Sequence, residues 1–236
     1  MSKTFLITGG MGCIGAWVIY HLIQDNQNIV NFDQSNDRHR LDWLMTNEEQ
    51  EKIQFIQGDL RNKAEIVEAA KKHNVSHIIH LAALQVPACK ANPILGSQVN
   101  VTGTINVFEA ARELSIPHIV YASSIAVYGT ADDYSQRLVS HDADRKPRTL
   151  YGGYKVANEE NAKVYYYDHG ITSTALRPYT VYGIGRDQGL TSEPSKAIVA
   201  ASKGEDYHLS FGGKMQFHFA SDVAQQFIEA SNNPLN

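Results

Sequence analysis

Cysteine is scarce in this chain: two residues in 236, Cys13 and Cys89. Cys13 lies inside a glycine-rich turn, so a structural disulfide is not expected and a reducing compartment is. No apolar run reaches membrane-spanning length. The first strand begins at the fourth residue, which leaves no room for a signal peptide, so a soluble, cytoplasmic protein is the expectation. Neither sign of charge is in excess: 21 Lys and Arg stand against 25 Asp and Glu, a net charge of −4. That balance gives no reason to invoke nucleic acid or an anionic membrane as a partner. Disorder is not indicated either, because 43% of residues are hydrophobic and only 19% are charged. No internal repeat or low-complexity tract is present. His77 and His80 are the one pair that suggests a metal. Three apart on a strand they point to opposite faces, and no acid or cysteine stands at ligand spacing, so no metal is expected.

What the chain does have is a strand, a glycine turn and a helix at its start. In TFLITGGMGCIG (4–15), the apolar run Phe5-Leu6-Ile7 reads as a buried strand and breaks at Thr8-Gly9-Gly10. Spacing of three to four residues resumes at Cys13, Ile14, Trp17, Val18 and Leu22. Gly9, Gly12 and Gly15 thus span a strand-to-helix turn, where absent Cβ atoms admit a ligand close to the backbone. Amides and dipole at the helix start suit a pyrophosphate. A second strand, Asn28–Phe32, ends at Asp33, 18 positions beyond Gly15. A carboxylate there suits the adenosine ribose hydroxyls and repels a 2′-phosphate, favouring NAD over NADP. The competing reading of Asp33 is a helix cap or turn residue. Arg38 and Arg40 follow and are read as solvated loop charges.

Further strands are expected at 53–56, 76–81, 117–121 and 172–176, with helices at 63–73, 94–114 and 151–168 between them. Residues 87–93 read as loop. In the 94–114 helix Val99, Thr102, Ile105, Asn106, Phe108 and Ala110 are buried candidates. Strands alternating with helices, without hairpin signals, predict a parallel, doubly wound α/β sheet, the Rossmann fold. Residues 130–149 are polar loop. Beyond Tyr179 the sequence becomes irregular, with helices near 195–203 and 222–230. The expected organisation is therefore residues 1–178 as dinucleotide-binding domain and 179–236 as a small, loop-rich substrate lobe interleaved with it.

Tyr151 and Lys155 stand four apart on one helix, so both project from one face. An ammonium beside a phenol favours phenolate and equips Tyr151 as a general base. Ser124 ends a parallel strand at the carboxyl edge of the sheet, where α/β folds bind ligands, and its hydroxyl can hold the oxygen whose proton the tyrosine takes. A Tyr and Lys at this spacing also occur by chance on many helices. Their place downstream of the glycine turn, Asp33 and Ser124 is what gives the pair weight.

Taken in order, TGGMGCIG, Asp33, GDL (58–60), HLAA (80–83), NVTGT (100–104), YASSIAVYG (121–129), Tyr151-x-x-x-Lys155 and LRPYTVYG (176–183) resemble the extended short-chain dehydrogenase/reductases, in particular the NAD-dependent epimerase/dehydratase family. The resemblance implies an enzyme with Ser124, Tyr151 and Lys155 as catalytic triad. It implies NAD held by Gly9, Gly12, Cys13, Ile14, Gly15, Asp33, Asp59, Leu60, Leu81, Ala82, Ala83, Tyr151, Lys155 and Tyr179. The substrate, a sugar, sugar derivative or nucleotide sugar, is expected at Gln85, Ser124, Ala126, Thr180 and the segment 184–218, including Arg186. It also implies a homodimer through the helices at 94–114 and 151–168, with Tyr165, Tyr166 and Tyr167 placing an aromatic outside the core stripe.

Three departures qualify the resemblance. The family's dehydratases carry Thr-Asp-Glu where this chain has Ser123-Ser124-Ile125, so dehydration is not expected. Met215 stands where nucleotide-sugar enzymes of the family have a diphosphate-binding arginine, and a thioether cannot make that bidentate contact. This leaves Lys214 or Arg186 as point charges. The chain also stops just after FHFASDVA (217–224), where relatives continue, so the substrate lobe is expected to be small or shortened. The expected function is NAD-dependent epimerisation or dehydrogenation of a secondary alcohol. A non-catalytic dinucleotide sensor or scaffold is the alternative.

Overall fold

The computed structural model describes residues 2–136 and 138–234. Six parallel strands form the main sheet in the order β3-β2-β1-β4-β5-β6. They are β1 (Thr4–Thr8), β2 (Asn28–Asp33), β3 (Ile53–Gln57), β4 (His77–His80), β5 (His118–Ala122) and β6 (Thr172–Leu176). The order reverses between β1 and β4, the switch point at which doubly wound sheets open a crevice beyond their carboxyl ends. The helices in chain order are α1 (Cys13–Gln24), α2 (His39–Asp42), α3 (Asn47–Gln50), α4 (Lys63–Lys72), α5 (Val86–Ala91), α6 (Pro93–Ser97), α7 (Gly103–Glu113), α8 (Leu150–His169), α9 (Glu193–Ser202) and α10 (Ala220–Asn232).

The alternation of β1 sets the two core layers. Phe5 and Ile7 face a layer shared with Ala16, Val18, Ile19 and Leu22 of α1 and Val223, Ala224 and Phe227 of α10. Leu6, between them, faces the opposite layer with Ile66 of α4, Val107 and Phe108 of α7 and Ala162 of α8. This is the period of two expected of a strand buried on both faces. Phe227 is wholly buried, and a phenyl ring so placed contributes about 1.5–3 kcal/mol relative to exposure. The C-terminal helix therefore packs back onto the main sheet.

Helix α8 is bounded as its sequence dictates. The Thr149 side chain accepts from the Gly152 amide at its start, and Gly170 closes it at φ +69°, a left-handed cap that glycine adopts without strain. Of its three consecutive tyrosines, Tyr165 stacks on Phe108 at 4.9 Å and donates to Glu109 at 2.9 Å. Tyr166 and Tyr167 are 54% and 79% exposed.

Several expectations are corrected. Residues 87–93 are not loop: α5 occupies most of them, with Pro87 in its first turn, where a missing amide hydrogen costs nothing. The helix expected over 94–114 is divided into α6, a π-helical turn at Gln98–Thr102, and α7. The wider turn shifts the buried stripe, so Thr102 is exposed while Gly103, Thr104 and Val107 are buried. Beyond Tyr179, the irregular text contains β7 (Thr180–Tyr182) and β8 (Phe217–Phe219), paired in parallel as a small second sheet.

Candidate active site

A cleft of about 690 Å³ opens at the carboxyl ends of the strands and is lined by residues from 9 to 191. Its floor is the glycine turn. Gly9 has φ +76°, and a Cβ there would lie 2.6 Å from the Ala82 amide nitrogen, a separation real side chains do not tolerate. Gly12 caps α1 without a side chain, so no side-chain oxygen occupies the first-turn amides, and they remain available to an anion. At the end of β2, Asp33 is oriented by its own loop: Oδ2 accepts from the Met11 amide at 3.0 Å and Oδ1 from the Ser35 amide at 2.9 Å. Each oxygen retains acceptor capacity toward the cleft. Asp59 lines the same cleft, but its carboxylate is held bidentate by Arg61.

The two arginines after β2 are committed elsewhere. The Arg38 guanidinium lies 3.6 Å from the centroid of the Phe55 ring, and Arg40 pairs with Asp187 at 2.6 Å. Both were expected to be solvated charges; Arg38 is exposed as expected, whereas Arg40 is largely buried in its ion pair. The cleft thus offers a carboxylate for a ribose and glycine-lined amides for a pyrophosphate, which fits a dinucleotide lacking a 2′-phosphate.

At the other end, Ser124, Tyr151 and Lys155 all line the cleft. Ser124 Oγ accepts from the Ala126 amide at 3.1 Å, which leaves its proton free to be donated outward. Lys155 is buried, and Nζ donates to the Ala122 carbonyl at 2.6 Å. Burial pushes its pKa down from 10.5 to about 8, because a desolvated ammonium is less favourable. Nζ lies 5.6 Å from the centroid of the Tyr151 ring. Burial raises the Tyr151 phenol above its ordinary value, while a hydrogen bond with Ser124 and the positive charge of Arg186 pull it back.

Beneath the triad lies a layer that the sequence pattern did not reveal. Ser123 donates to Glu159 at 2.5 Å. Glu159 is gripped by Arg177 through two bonds of 2.7 Å and approached by Arg145 at 3.4 Å. The signal that could have found it is spacing: Glu159 follows Lys155 by four on α8, as Lys155 follows Tyr151. A second network ties the glycine turn to α7. Thr104 Oγ1 donates to the Asn100 carbonyl at 2.7 Å, so it must accept from His80 Nε2 at 3.0 Å, leaving Nδ1 to accept from Thr8 at 2.6 Å. His80 is buried and neutral, its pKa driven down to about 3 by desolvation and then by Lys155. Asn100, in the π-turn, clamps Leu84 by accepting from its amide and donating to its carbonyl.

Of the expected cofactor residues, Gly9, Gly12, Cys13, Ile14, Gly15, Asp33, Asp59, Leu60, Leu81, Ala82, Ala83, Tyr151, Lys155 and Tyr179 all line this cleft. So do Gln85, Ser124, Ala126 and Arg186 of the substrate set. Thr180 does not. It is buried in β7, while its neighbours Tyr179 and Val181 face the cleft, as strand alternation requires. Gln188, Leu190 and Thr191, within the expected segment 184–218, line it too, while Met11 and Arg40 line it unforeseen.

Comparison with known proteins follows the same direction. The profile of the NAD dependent epimerase/dehydratase family matches residues 5–236. A putative UDP-glucose 4-epimerase from Methanocaldococcus jannaschii is 33% identical over 232 residues, covering 96% of this chain and 73% of the relative. Among solved structures, an L-threonine dehydrogenase from Clostridium difficile is 26% identical with a TM-score of 0.86, covering 99% of this chain and 72% of the other. A UDP-glucose 4-epimerase from Thermus thermophilus, in complex with NAD, is 24% identical with a TM-score of 0.83, covering 98% and 75%; it supports the fold. No helix among the described residues is long and apolar enough to cross a membrane.

Proposed function

The chain belongs to the NAD dependent epimerase/dehydratase family, and from that premise we propose that it oxidises a secondary alcohol of a sugar or sugar derivative, with Tyr151 as general base. The observation that carries this is the convergence of Ser124, Tyr151 and Lys155 on the cleft that also holds the glycine turn and Asp33. NAD, when bound, supplies the acceptor for the hydride leaving the carbinol carbon. The protein supplies the rest. Ser124 Oγ, already accepting from Ala126, donates its proton to the carbinol oxygen and orients it. Tyr151 Oη takes the carbinol proton. The Lys155 ammonium stabilises the phenolate that precedes this transfer.

Asp33, with Arg38 outside the cleft and Arg40 paired with Asp187, favours NAD over its 2′-phosphorylated form. Segment 179–236 is assigned to the substrate, through Arg186, Gln188, Leu190 and Thr191. Arg186 donates from Nη2 to Thr191 at 2.9 Å, while its buried Nε has no partner among the described residues. It is the guanidinium offered to an anionic group of the substrate. Its charge also lowers the Tyr151 pKa, so Arg186→Gln moves the acid limb of the kcat/KM profile to higher pH: less base is ionised at a given pH. An acid limb that stays in place, or moves down, excludes this electrostatic role.

The discriminating experiment incubates the protein with NAD and a panel of sugars and nucleotide sugars. Product isomer without net NADH identifies an epimerase, and steady NADH accumulation identifies a dehydrogenase. Neither, with NAD demonstrably bound, contradicts the proposal and leaves the dinucleotide sensor. The face of α7 and α8 that exposes Tyr166 and Tyr167 is assigned to a second copy of the chain. Light scattering then gives twice the chain mass, and a monomeric mass at micromolar concentration rejects that assignment.

A further inference from the structure

The segment 183–191 borders the cleft and is tied to α1 and to the start of α2. Three of its glycines, Gly183, Gly185 and Gly189, have positive φ, at +122°, +87° and +95°, so its path depends on backbone conformations that other residues rarely adopt. Arg186, Gln188, Leu190 and Thr191 line the cleft together with Met11, Gly12, Cys13 and Arg40.

The tie is a small set of charged groups. Arg40 Nη2 and Nε donate to Asp187 Oδ1 at 2.6 and 2.9 Å, and Nε also donates to the Gly185 carbonyl at 3.0 Å. Arg40 Nη1 donates to the Met11 carbonyl in the glycine turn at 2.7 Å. His39 Nε2 meets the other oxygen, Asp187 Oδ2, at 3.0 Å, while its Nδ1 meets Asp37 at 2.9 Å. Trp17, on α1, donates to the Ile184 carbonyl at 3.0 Å. The Arg40 side chain is only 13% exposed and that of Asp187 30%, so the pair is partly desolvated and worth more than a surface ion pair.

We propose that Asp187, gripped by Arg40 and His39, is a positioning residue that locks segment 183–191 over the pyrophosphate end of the dinucleotide site, so that the clasp has to open each time a dinucleotide enters or leaves. The inference rests on the dinucleotide-binding reading of the cleft. It goes beyond that reading in making exchange of the cofactor, rather than its affinity, the property that this ion cluster controls. Asp187 faces Arg40 and His39 and acts through them. A residue that simply touched the ligand would slow escape without hindering entry, whereas a lock hinders both.

The test is the pair of rate constants for NADH, followed by its fluorescence in wild type, Asp187→Asn and His39→Asn. Asp187→Asn keeps the shape but removes the charge and one acceptor. It is expected to raise both association and release rates about tenfold or more, as expected when a gating contact is lost. His39→Asn leaves the Arg40 pair intact and should raise both rates by a smaller factor, which keeps the test open if Asp187→Asn folds poorly. Rates within about twofold of wild type overturn the lock, as does faster release with unchanged association. A wild-type protein that binds no NADH fails the dinucleotide reading itself, and the lock with it. Binding with unaltered exchange fails the lock alone.

Discussion

Tyr151→Phe is expected to reduce turnover by a factor on the order of 10²–10⁴, the usual contribution of a positioned proton-transfer group, while leaving NAD binding within a factor of about two. The substitution removes one oxygen and keeps the ring, so packing beside Lys155 is preserved. What is lost is a phenol within reach of Ser124 that also has an ammonium beside it, at 5.6 Å from its ring centroid. Burial works against this base, raising its pKa, and Ser124 and Arg186 oppose that shift. Single-turnover kinetics with dinucleotide titration separates the two expectations. Wild-type turnover in the variant excludes Tyr151 as the base. Lost turnover with lost binding means that the effect was structural.

Glu159→Ala is expected to cost about 3–5 kcal/mol of stability, the range found when one partner of a buried ion pair is removed. Glu159 has a side-chain exposure of 5%, and Arg177 one of 18%, so deletion of the carboxylate leaves a guanidinium facing a void. Burial alone would raise the Glu159 pKa; the bonds from Arg177 and Ser123 and the charges of Arg177 and Arg145 outweigh it, and the pKa is held below 4.5. A carboxylate with a depressed folded-state pKa contributes stability above its unfolded value and loses it as pH falls through the folded one. The advantage of wild type over Glu159→Gln is therefore full at neutral pH and shrinks below about 4.5. Because Ser123 is anchored here, the serine turn shifts too, and kcat falls even where the variant remains folded. Urea unfolding across pH reads the first effect. An undiminished gap between wild type and Glu159→Gln at acid pH rejects the ionic account.

The parts of this protein legible in its sequence are those governed by local rules. A buried apolar run, a glycine break and a helical stripe identify β1, the turn and α1, and the offset to Asp33 follows from the length of one helix and one strand. Tyr151 and Lys155 are legible because helical spacing places them on one face. The misplacements have equally physical causes. Pro87 suggested loop because proline punctuates chains, but in the first turn of α5 it is harmless. The stripe over 94–114 slipped because a π-turn adds a residue that no periodicity anticipates. Thr180 was misplaced in the cleft because β7 is only three residues long, too short for its alternation to register as a strand in the sequence. Arg40 and Asp187 meet across 147 positions of sequence, and nothing local distinguishes either from a solvated charge.

Whether this cleft is an NAD site serving Tyr151 is decided by titrating the protein with NAD and with NADP while following the thermal unfolding midpoint, since a ligand specific to the folded state raises it. The structure predicts a saturable rise with NAD and binding of NADP weaker by about tenfold or more, roughly 1.4 kcal/mol, because the Asp33 carboxylate repels a 2′-phosphate, Arg38 does not line the cleft and Arg40 is paired with Asp187. No shift with NAD, or a tighter response to NADP, contradicts it.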